Sequence, residues 1–479
     1  MLKQIEEYYF KHSKVIKLLL LPLLLTALIF IFSLFYLNLL PDIIIYASCL
    51  GVIVILLSCY YFFIKKVKKG IFPTKSLIVS LIFSLFFSLA GFYIIESKNS
   101  IKPVFSNDNE EIIMSLVVLK DSDYNELEDI NKIGYTENSE INETKQFFKS
   151  INKQITTLKT NNFENLVGLL TNQDVEAIVV CESKRFLIET YFPHFSTETR
   201  IVYQYKINKN TKFKENKIDI TKDPFNVMIS GLDTYGDINT ISRSDVNLLV
   251  TINPTKHEIL IINTPRDYWV SLGNINQMDK LTHAGVYGIK ETVATMEKLY
   301  DLDINYYARV NYNSLIDVVD AIGGVEINNP YEFGIPNTPY YFPKGIISLN
   351  GQQALSFIRE RYSLPNGDED RGKNQQRVLT AIIQKLLSEQ FLKNYLPILK
   401  SLSNSFITNM PEDELSKFVK AQIDNLAQWT IKAISVSGEA SMTTQSYSMP
   451  GQNISIIIPN ETTIQIAKEE IKRISTANY

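Results

Sequence analysis

The residues best equipped for chemistry in this 479-residue chain are arginines and aspartates gathered in three clusters. Gly231-Leu232-Asp233 is followed closely by Ser242-Arg243-Ser244-Asp245. Each of these aspartates adjoins an apolar run and belongs at a strand end, where open α/β sheets build their ligand sites. Two carboxylates converging from neighbouring strands are oxygen ligands for a hard cation such as Mg²⁺. Either one alone is weak evidence, because an aspartate near a turn often only shapes its own backbone. Thr264-Pro265-Arg266-Asp267 closes another apolar run and could bring a guanidinium to the same rim. The third cluster joins Arg359-Glu360-Arg361-Tyr362 to Gly367-Asp368-Glu369-Asp370-Arg371-Gly372 and Asn374-Gln375-Gln376-Arg377. Arg371 and Gln375, four positions apart, share a face at the start of a helix. A helix start also offers free N–H groups to an anion. Guanidinium groups grip phosphate oxygens in pairs, which lysine cannot imitate.

Carboxylates for a divalent cation, ringed by arginines, suffice for phosphoryl transfer. That chemistry is mostly positioning and charge neutralisation and needs no protein nucleophile. Cys181 has no neighbour in sequence to activate it, and His257 and His283 read as structural histidines. An aspartate near the cation is the better candidate for a base.

The elements that must position these residues alternate. Phe225–Ser230, Asn247–Ile252 and Glu258–Asn263 have little polar alternation, as buried strands do. Helical spacing follows in Gly285–Tyr300 and Ser314–Ile322, then from Gly351 to about Tyr362 and from Arg371 to about Leu387. Ile454–Ile458 and Thr462–Ile474 close the chain as strand and helix. The expectation is an α/β domain over residues 224–479, with helices on both faces of one central sheet and its motifs within 225–387. Asp223-Pro224 marks its start. Residues 97–223 read as a small α/β accessory domain, with strands at Ile112–Leu119, Ala177–Cys181 and Ile201–Ile207 and helices at Glu140–Ile155 and Phe163–Leu170. No catalytic constellation is visible in it, so it reads as a spacer or partner-binding module.

Residues 1–96 are of another kind. Leu18–Leu37, Ile43–Ile64 and Ser76–Ile95 are apolar runs of about the twenty residues that cross a bilayer. The first is too long for a signal peptide and two more spans follow it. Lysines precede the first span and fill the link between the second and third, whereas Asn38–Asp42 has none. Positive-inside then places the amino terminus in the cytoplasm and everything beyond about Glu96 outside, in a multi-pass protein of the cell membrane. Cys49 and Cys59 fall within the second span, so Cys181 is left without an exterior partner for a disulfide, an economy that suits a bacterial surface. The net charge of -3 and pI near 6.0 give no reason to expect a nucleic-acid partner.

Gly231-Leu232-Asp233, Ser242-Arg243-Ser244-Asp245, Thr264-Pro265-Arg266-Asp267 and the block from Asn350 to Arg377 resemble the LytR-CpsA-Psr family, over about Phe225–Leu387. The three spans and the module before the main domain look like the layout of its capsule-associated CpsA-type members, which points to a Gram-positive bacterium. The resemblance implies a Mg²⁺-dependent phosphotransferase, with Mn²⁺ as an alternative, that moves a glycopolymer, here a capsular polysaccharide, from undecaprenyl pyrophosphate to peptidoglycan. It implies metal-linked carboxylates at Asp233 and Asp245, and a pyrophosphate grip of Arg243, Arg266, Arg359, Arg361, Arg371 and Gln375. Asp368 matches the aspartate of the arginine-rich loop, with Asp370 as the alternative register. The catalytic set is then Asp233, Asp245, Arg243, Arg266 and Asp368. A lipid tail in such a domain would lie among apolar residues such as Val286, Ile289, Val293, Leu315, Val318 and Val319, which would equally make an ordinary core. Capsule assembly proteins are further partners the resemblance suggests. A pyrophosphate hydrolase would use the same site, and a membrane-bound regulator of capsule or wall genes is a third reading. Direct DNA binding is excluded by the few residues ahead of the first span.

Overall fold

Three long helices begin the chain: α1 (Leu2–Leu37), α2 (Asp42–Val67) and α3 (Thr74–Phe105). The computed structural model describes residues 2–37, 42–69, 71, 73–105, 109–136, 141–210, 213, 218–232, 238–388, 391 and 406–476. Asp233 therefore lies outside the described residues. Stretches Leu20–Leu37, Asp42–Val67 and Thr74–Asn99 are long and apolar enough to cross a membrane. Leu23, Ala27, Val52, Cys59 and Phe87 pack the three helices together. The Thr26 and Ser84 hydroxyls meet at 3.2 Å between the first and third. Leu28, Phe32, Leu57, Leu85 and Phe92 point outward and are exposed, the reverse of a water-soluble core and the arrangement a lipid solvent favours.

The chain divides into two compact units. The first is Met1–Pro103 with Glu389–Ser403 and Pro411–Ala427. Its helix Glu412–Asn425 makes two ion pairs with the spans: Lys420 with Asp42 at 3.0 Å and Glu412 with Lys98 at 3.4 Å.

The second unit, Val104–Ser388 with Asn404–Met410 and Gln428–Tyr479, holds two larger sheets. The boundary expected at Asp223 thus separates two sheets inside one unit. The accessory sheet comes first: β1 (Asn109–Leu119), β2 (Lys132–Thr136), α4 (Ile141–Ser150), β3 (Thr156–Thr160), α5 (Phe163–Thr171), β4 (Ala177–Cys181), α6 (Arg185–Tyr191), α7 (Phe195–Glu198) and β5 (Thr199–Asn210). Its order is β3-β2-β4-β1-β5. The helix expected through Ile155 stops at Ser150, and the β-branched pair Thr156-Thr157 pairs in parallel with β2 instead. All three cysteines are free.

The main domain follows as β6 (Phe225–Leu232), β7 (Ser244–Asn253), β8 (Glu258–Asn263), β9 (Trp269–Ser271), β10 (Met278–Lys280), α8 (Leu281–Ala284), α9 (Ile289–Tyr300), β11 (Tyr306–Val310) and α10 (Tyr312–Ala321). Then come β12 (Val325–Asn329), β13 (Phe333–Gly334), β14 (Tyr341–Phe342), β15 (Gly345–Leu349), α11 (Gly351–Arg359) and α12 (Asp368–Leu386). Past the first unit's segment of the chain lie β16 (Phe406–Thr408), β17 (Thr430–Ser435), β18 (Gly438–Gln445), β19 (Pro450–Pro459) and α13 (Glu461–Ser475). The central sheet runs β16-β11-β6-β7-β8-β17. It is mixed: β7 runs antiparallel to both its neighbours, β6 and β8, while β11 joins β6 and β17 joins β8 in parallel.

Alternation along these strands feeds two cores. Leu249, Leu260 and Ile262 pack with Val293 and Met296 of α9 and Ile464, Ala467 and Ile471 of α13. Leu248, Val250, Ile259 and Ile261 face the other way, toward Leu379 and Ile383 of α12. Each such buried aliphatic side chain contributes roughly 1.5–3 kcal/mol, so β8, with four in a row, is a rigid floor. The helices do cover both faces. Gly288, at φ 101°, breaks the helix expected from Gly285, leaving a 3₁₀ turn before α9.

Candidate functional site

The carboxyl-side ends of β6 and β8, the entry to β7 and the start of α12 meet at one rim. Ser244 opens β7 with a buried side chain whose hydroxyl donates to Asn247 Oδ1 at 2.8 Å. The next residue, Asp245, is directed at the rim. Its Oδ2 accepts from Arg266 Nη1 at 2.5 Å, and its Oδ1 from the Thr282 hydroxyl at 2.9 Å. Burial pushes the Asp245 carboxyl up, but the Arg266 and Arg243 guanidiniums outweigh it and hold the group below the usual carboxylate range. Arg266 follows β8 and also lies 3.7 Å from Asp267, which Lys280 neutralises at 3.1 Å.

The start of α12 brings the rest. Asp368 Oδ1 is ion-paired with Arg371 Nη2 at 2.5 Å. Burial lowers Arg371 from its ordinary value, and the nearby Arg266 lowers it further. Burial acts on Arg266 in the same direction, but Asp245, Asp267 and Asp368 outweigh it and raise the group. Neighbouring guanidiniums of this kind are a ready seat for a polyanion. Gly372 lets this turn approach β8, since a Cβ there would stand 2.2 Å from Asn263 Nδ2. The resulting pocket, of about 90 Å³, is lined by Asp245, Arg266, Asp368, Arg371 and Gln375, with Asn263 and Ser435–Gly438.

Asp368 and Asp370 differ clearly. Asp368 lines the pocket, whereas Asp370 is only 1 % exposed and accepts the Asn366 backbone N–H at 3.0 Å and side-chain amide at 3.1 Å, shaping the loop. Arg359 closes α11, exposed, with its guanidinium 4.4 Å from the Tyr312 ring. Arg361 lies over the Tyr362 ring at 4.6 Å and donates to its hydroxyl at 2.6 Å. Neither is among the residues lining the pocket. Arg243 does not line it either, but its charge helps to lower the Asp245 carboxyl.

A second cavity of about 190 Å³ shares Asp245 and Gln375 with the first and is otherwise almost wholly apolar. Ile229, Val246 and Leu248 of the sheet face Leu315 and Val318 of α10, Leu355 of α11 and Val378 of α12 across it. Leu315 and Val318 therefore line an apolar cavity, as the sequence allowed. Ile289 and Val293 instead fill the core on the opposite face of the sheet. Val286 and Val319 are buried but do not line the cavity.

Sequence reasoning missed Thr282 and Tyr312. Each reaches the site only through the fold, and a threonine or tyrosine in an apolar stretch carries no signal of its own. Among the described residues no group of three or more His, Cys, Asp or Glu could hold a metal. Mg²⁺ does not require one, because it is usually bound through one or two carboxylates together with substrate phosphates. Asp245 is one such carboxylate, so the described residues are compatible with the cation.

Fold and site together define a class: an α/β protein with long apolar helices, in which an arginine-lined pocket shares Asp245 and Gln375 with an apolar cavity. The chain belongs to the LytR_cpsA_psr family, whose model matches residues 190–472. It is similar to the polyisoprenyl-teichoic acid--peptidoglycan teichoic acid transferase TagU of Enterococcus faecalis, 36% identical over 208 residues (43% of this chain, 68% of the relative). The protein of that name in Bacillus cereus is 36% identical over 212 residues, which are 44% of this chain and 68% of the relative. The crystal structure of B. subtilis TagU is 28% identical, covers 54% of this chain and 99% of its own, and superposes with a TM-score of 0.42.

Proposed function

We propose that this chain transfers a glycopolymer from a polyprenyl pyrophosphate carrier to peptidoglycan. The observation that carries this reading is the junction of the two cavities at Asp245 and Gln375. A pyrophosphate ester of a long apolar alcohol needs a cationic pocket and a dry apolar one in immediate succession, and few other metabolites do. Both are consistent with the names of the relatives.

In the proposed reaction an acceptor hydroxyl attacks the phosphorus that bears the glycan. The bond from that phosphorus to the bridging oxygen breaks, and polyprenyl phosphate leaves with the bond's electron pair. Arg266 and Arg371 neutralise the charge growing on the bridging and non-bridging oxygens. Asp368, facing the pocket, takes the hydroxyl proton. Asp245, with Asp233, would hold Mg²⁺ or Mn²⁺, which supplies further charge neutralisation on the pyrophosphate. Thr282 and Arg266 fix the Asp245 carboxylate in position for that. Arg243, Arg359 and Arg361 complete the grip on the anion.

The polymer is proposed to be a capsular polysaccharide, on the strength of the three spans and accessory module ahead of the main domain. Teichoic acid, which the relatives' names carry, is the competing polymer. The test supplies purified full-length protein in a bilayer with peptidoglycan and either lipid-linked polymer. The expected result is a covalent polymer–peptidoglycan product with stoichiometric release of polyprenyl phosphate, dependent on divalent cation. Release of polyprenyl phosphate with free polymer and no covalent product would overturn transfer in favour of hydrolysis.

A further inference from the structure

The accessory module carries no catalytic constellation of its own, yet it touches the segment that carries Arg243, whose charge acts on Asp245. Phe186, on α6, lies half-buried with its ring 4.7 Å from the Arg243 guanidinium carbon. The ring is held from behind by Leu187, Met449, Ile454 and Ile456. Beside it, 5.7 Å away, is the imidazole of His283. That imidazole is fixed by the buried Asp279 at 2.7 Å, and Asp279 also accepts from the Ser446 hydroxyl at 2.7 Å and the Ser448 backbone N–H at 2.8 Å. His283 directly follows Thr282, the residue that holds Asp245.

The module also grips the same segment by its backbone. The Glu111 backbone N–H of β1 donates to Asn239 O at 3.2 Å. Its neighbour Glu110 is buried against Arg309 of β11 at 2.6 Å, and Arg309 donates to Thr240 O at 3.0 Å. Arg243 comes three positions later. Gly285 then presses so closely that a Cβ there would sit 2.6 Å from Ser242 O and 2.5 Å from Ser244 N.

We propose that the accessory module completes the anion site, with Phe186 as a positioning residue that holds Arg243 in its ligand-binding conformation. The proposal rests on the pyrophosphate reading above. Arg243, Arg266 and Arg371 all act on Asp245, and like charges gathered around one carboxylate tend to splay apart. A ring face beneath one guanidinium offsets that repulsion without adding a competing negative charge. An arginine held in place beforehand loses less freedom when the anion binds, so the benefit appears as affinity. Phe186 precedes the residues the family model matches, 190–472, so this support belongs to the module rather than to the matched region.

The experiment measures farnesyl pyrophosphate binding to the full-length protein in nanodiscs. Phe186→Leu should weaken binding about 3- to 10-fold, the range of a half-buried cation–π contact. Phe186→Trp should restore it. In an Arg243→Gln background Phe186→Leu should have no further effect. Should Phe186→Leu not fold, a series of ring-fluorinated phenylalanines at 186 keeps the shape while draining the ring face, and affinity should fall stepwise along it. Unchanged affinity across the fluorinated series, or in Phe186→Leu, overturns the proposal while leaving the function standing. Equal loss in the Leu and Trp variants also overturns it, since that is the mark of packing alone. Wild-type protein that binds no farnesyl pyrophosphate overturns the functional reading and this one with it.

Discussion

Asp245 and Arg266 are the pair through which the site's electrostatics can be read. Because the folded Asp245 carboxyl lies below its ordinary value of about 4, its ionised form adds stability at neutral pH, and that contribution is lost as pH falls through the folded value. Asp245→Asn should therefore be less stable than wild type at pH 7, by about 1–3 kcal/mol, and the gap should narrow as pH falls below about 4. A constant gap in calorimetry across that range would remove the ion pair as the cause. Arg266→Lys should preserve fold but cost roughly 10- to 100-fold in turnover, because an ammonium cannot bind two oxygens in one plane. Turnover equal to wild type would show that paired donors are not needed there. At this scale the gathering was legible beforehand: Arg266, Arg371 and Gln375 line one pocket with Asp245, as their types and spacing suggested, and Asp368 joins them as the family resemblance implied. Thr282 was not, because its role depends on a turn thirty-seven positions from Asp245 in the chain. Nor was the difference between Asp368 and Asp370, since it depends on the Asn366 backbone and side-chain amides, which both engage Asp370 and leave Asp368 to the pocket.

The elements that carry these residues are set by close approaches that side-chain patterns do not announce. Gly285 is wedged against backbone on both sides, with no flexible side chain to yield. Gly285→Ala should push the entry of β7 outward, lower stability by about 1–3 kcal/mol and cut activity with it. Gly168 in α5 has nothing within 4 Å of a Cβ, so Gly168→Ala should stabilise by about 0.5–1 kcal/mol and leave activity alone. Denaturant titration of the two variants tests the pair, and equal signs would contradict the packing. Strands β6, β7 and β8 were readable because they are buried on both faces and carry long apolar runs. β17 was not: Thr430–Ser435 is partly exposed, with Lys432 in its middle, and is a strand because it pairs in parallel with β8. β11 hid likewise, with the charge of Arg309 interrupting a short run until Glu110 compensates it.

For the whole molecule the spans decide where the chemistry can occur. The lysine-rich link after α2 argues for a cytoplasmic face there. A cysteine at Lys68 should then react with a membrane-impermeant maleimide only in permeabilised cells, and one at Asp123 in intact cells. The opposite labelling would invert the topology. That three helices are long and apolar enough to span was plain in the sequence, because runs of about twenty uncharged apolar residues match the thickness of a bilayer and are rare in water-soluble helices. That helix Glu412–Asn425 belongs with them was not. It returns to Asp42 across 378 positions of chain, and to Lys98 at the far end of the third span. Those contacts oblige the start of the second span and the end of the third to share one side of the bilayer. They also give the hairpins a late fastening. During synthesis the three apolar helices are made long before residue 412 exists, so Asp42 and Lys98 stay unfastened until most of the chain has been made. A fragment begun after Phe105 would inherit the opposite defect, an orphaned helix with its ionic partners gone. Aggregation of such a fragment would then say little about the catalytic domain itself.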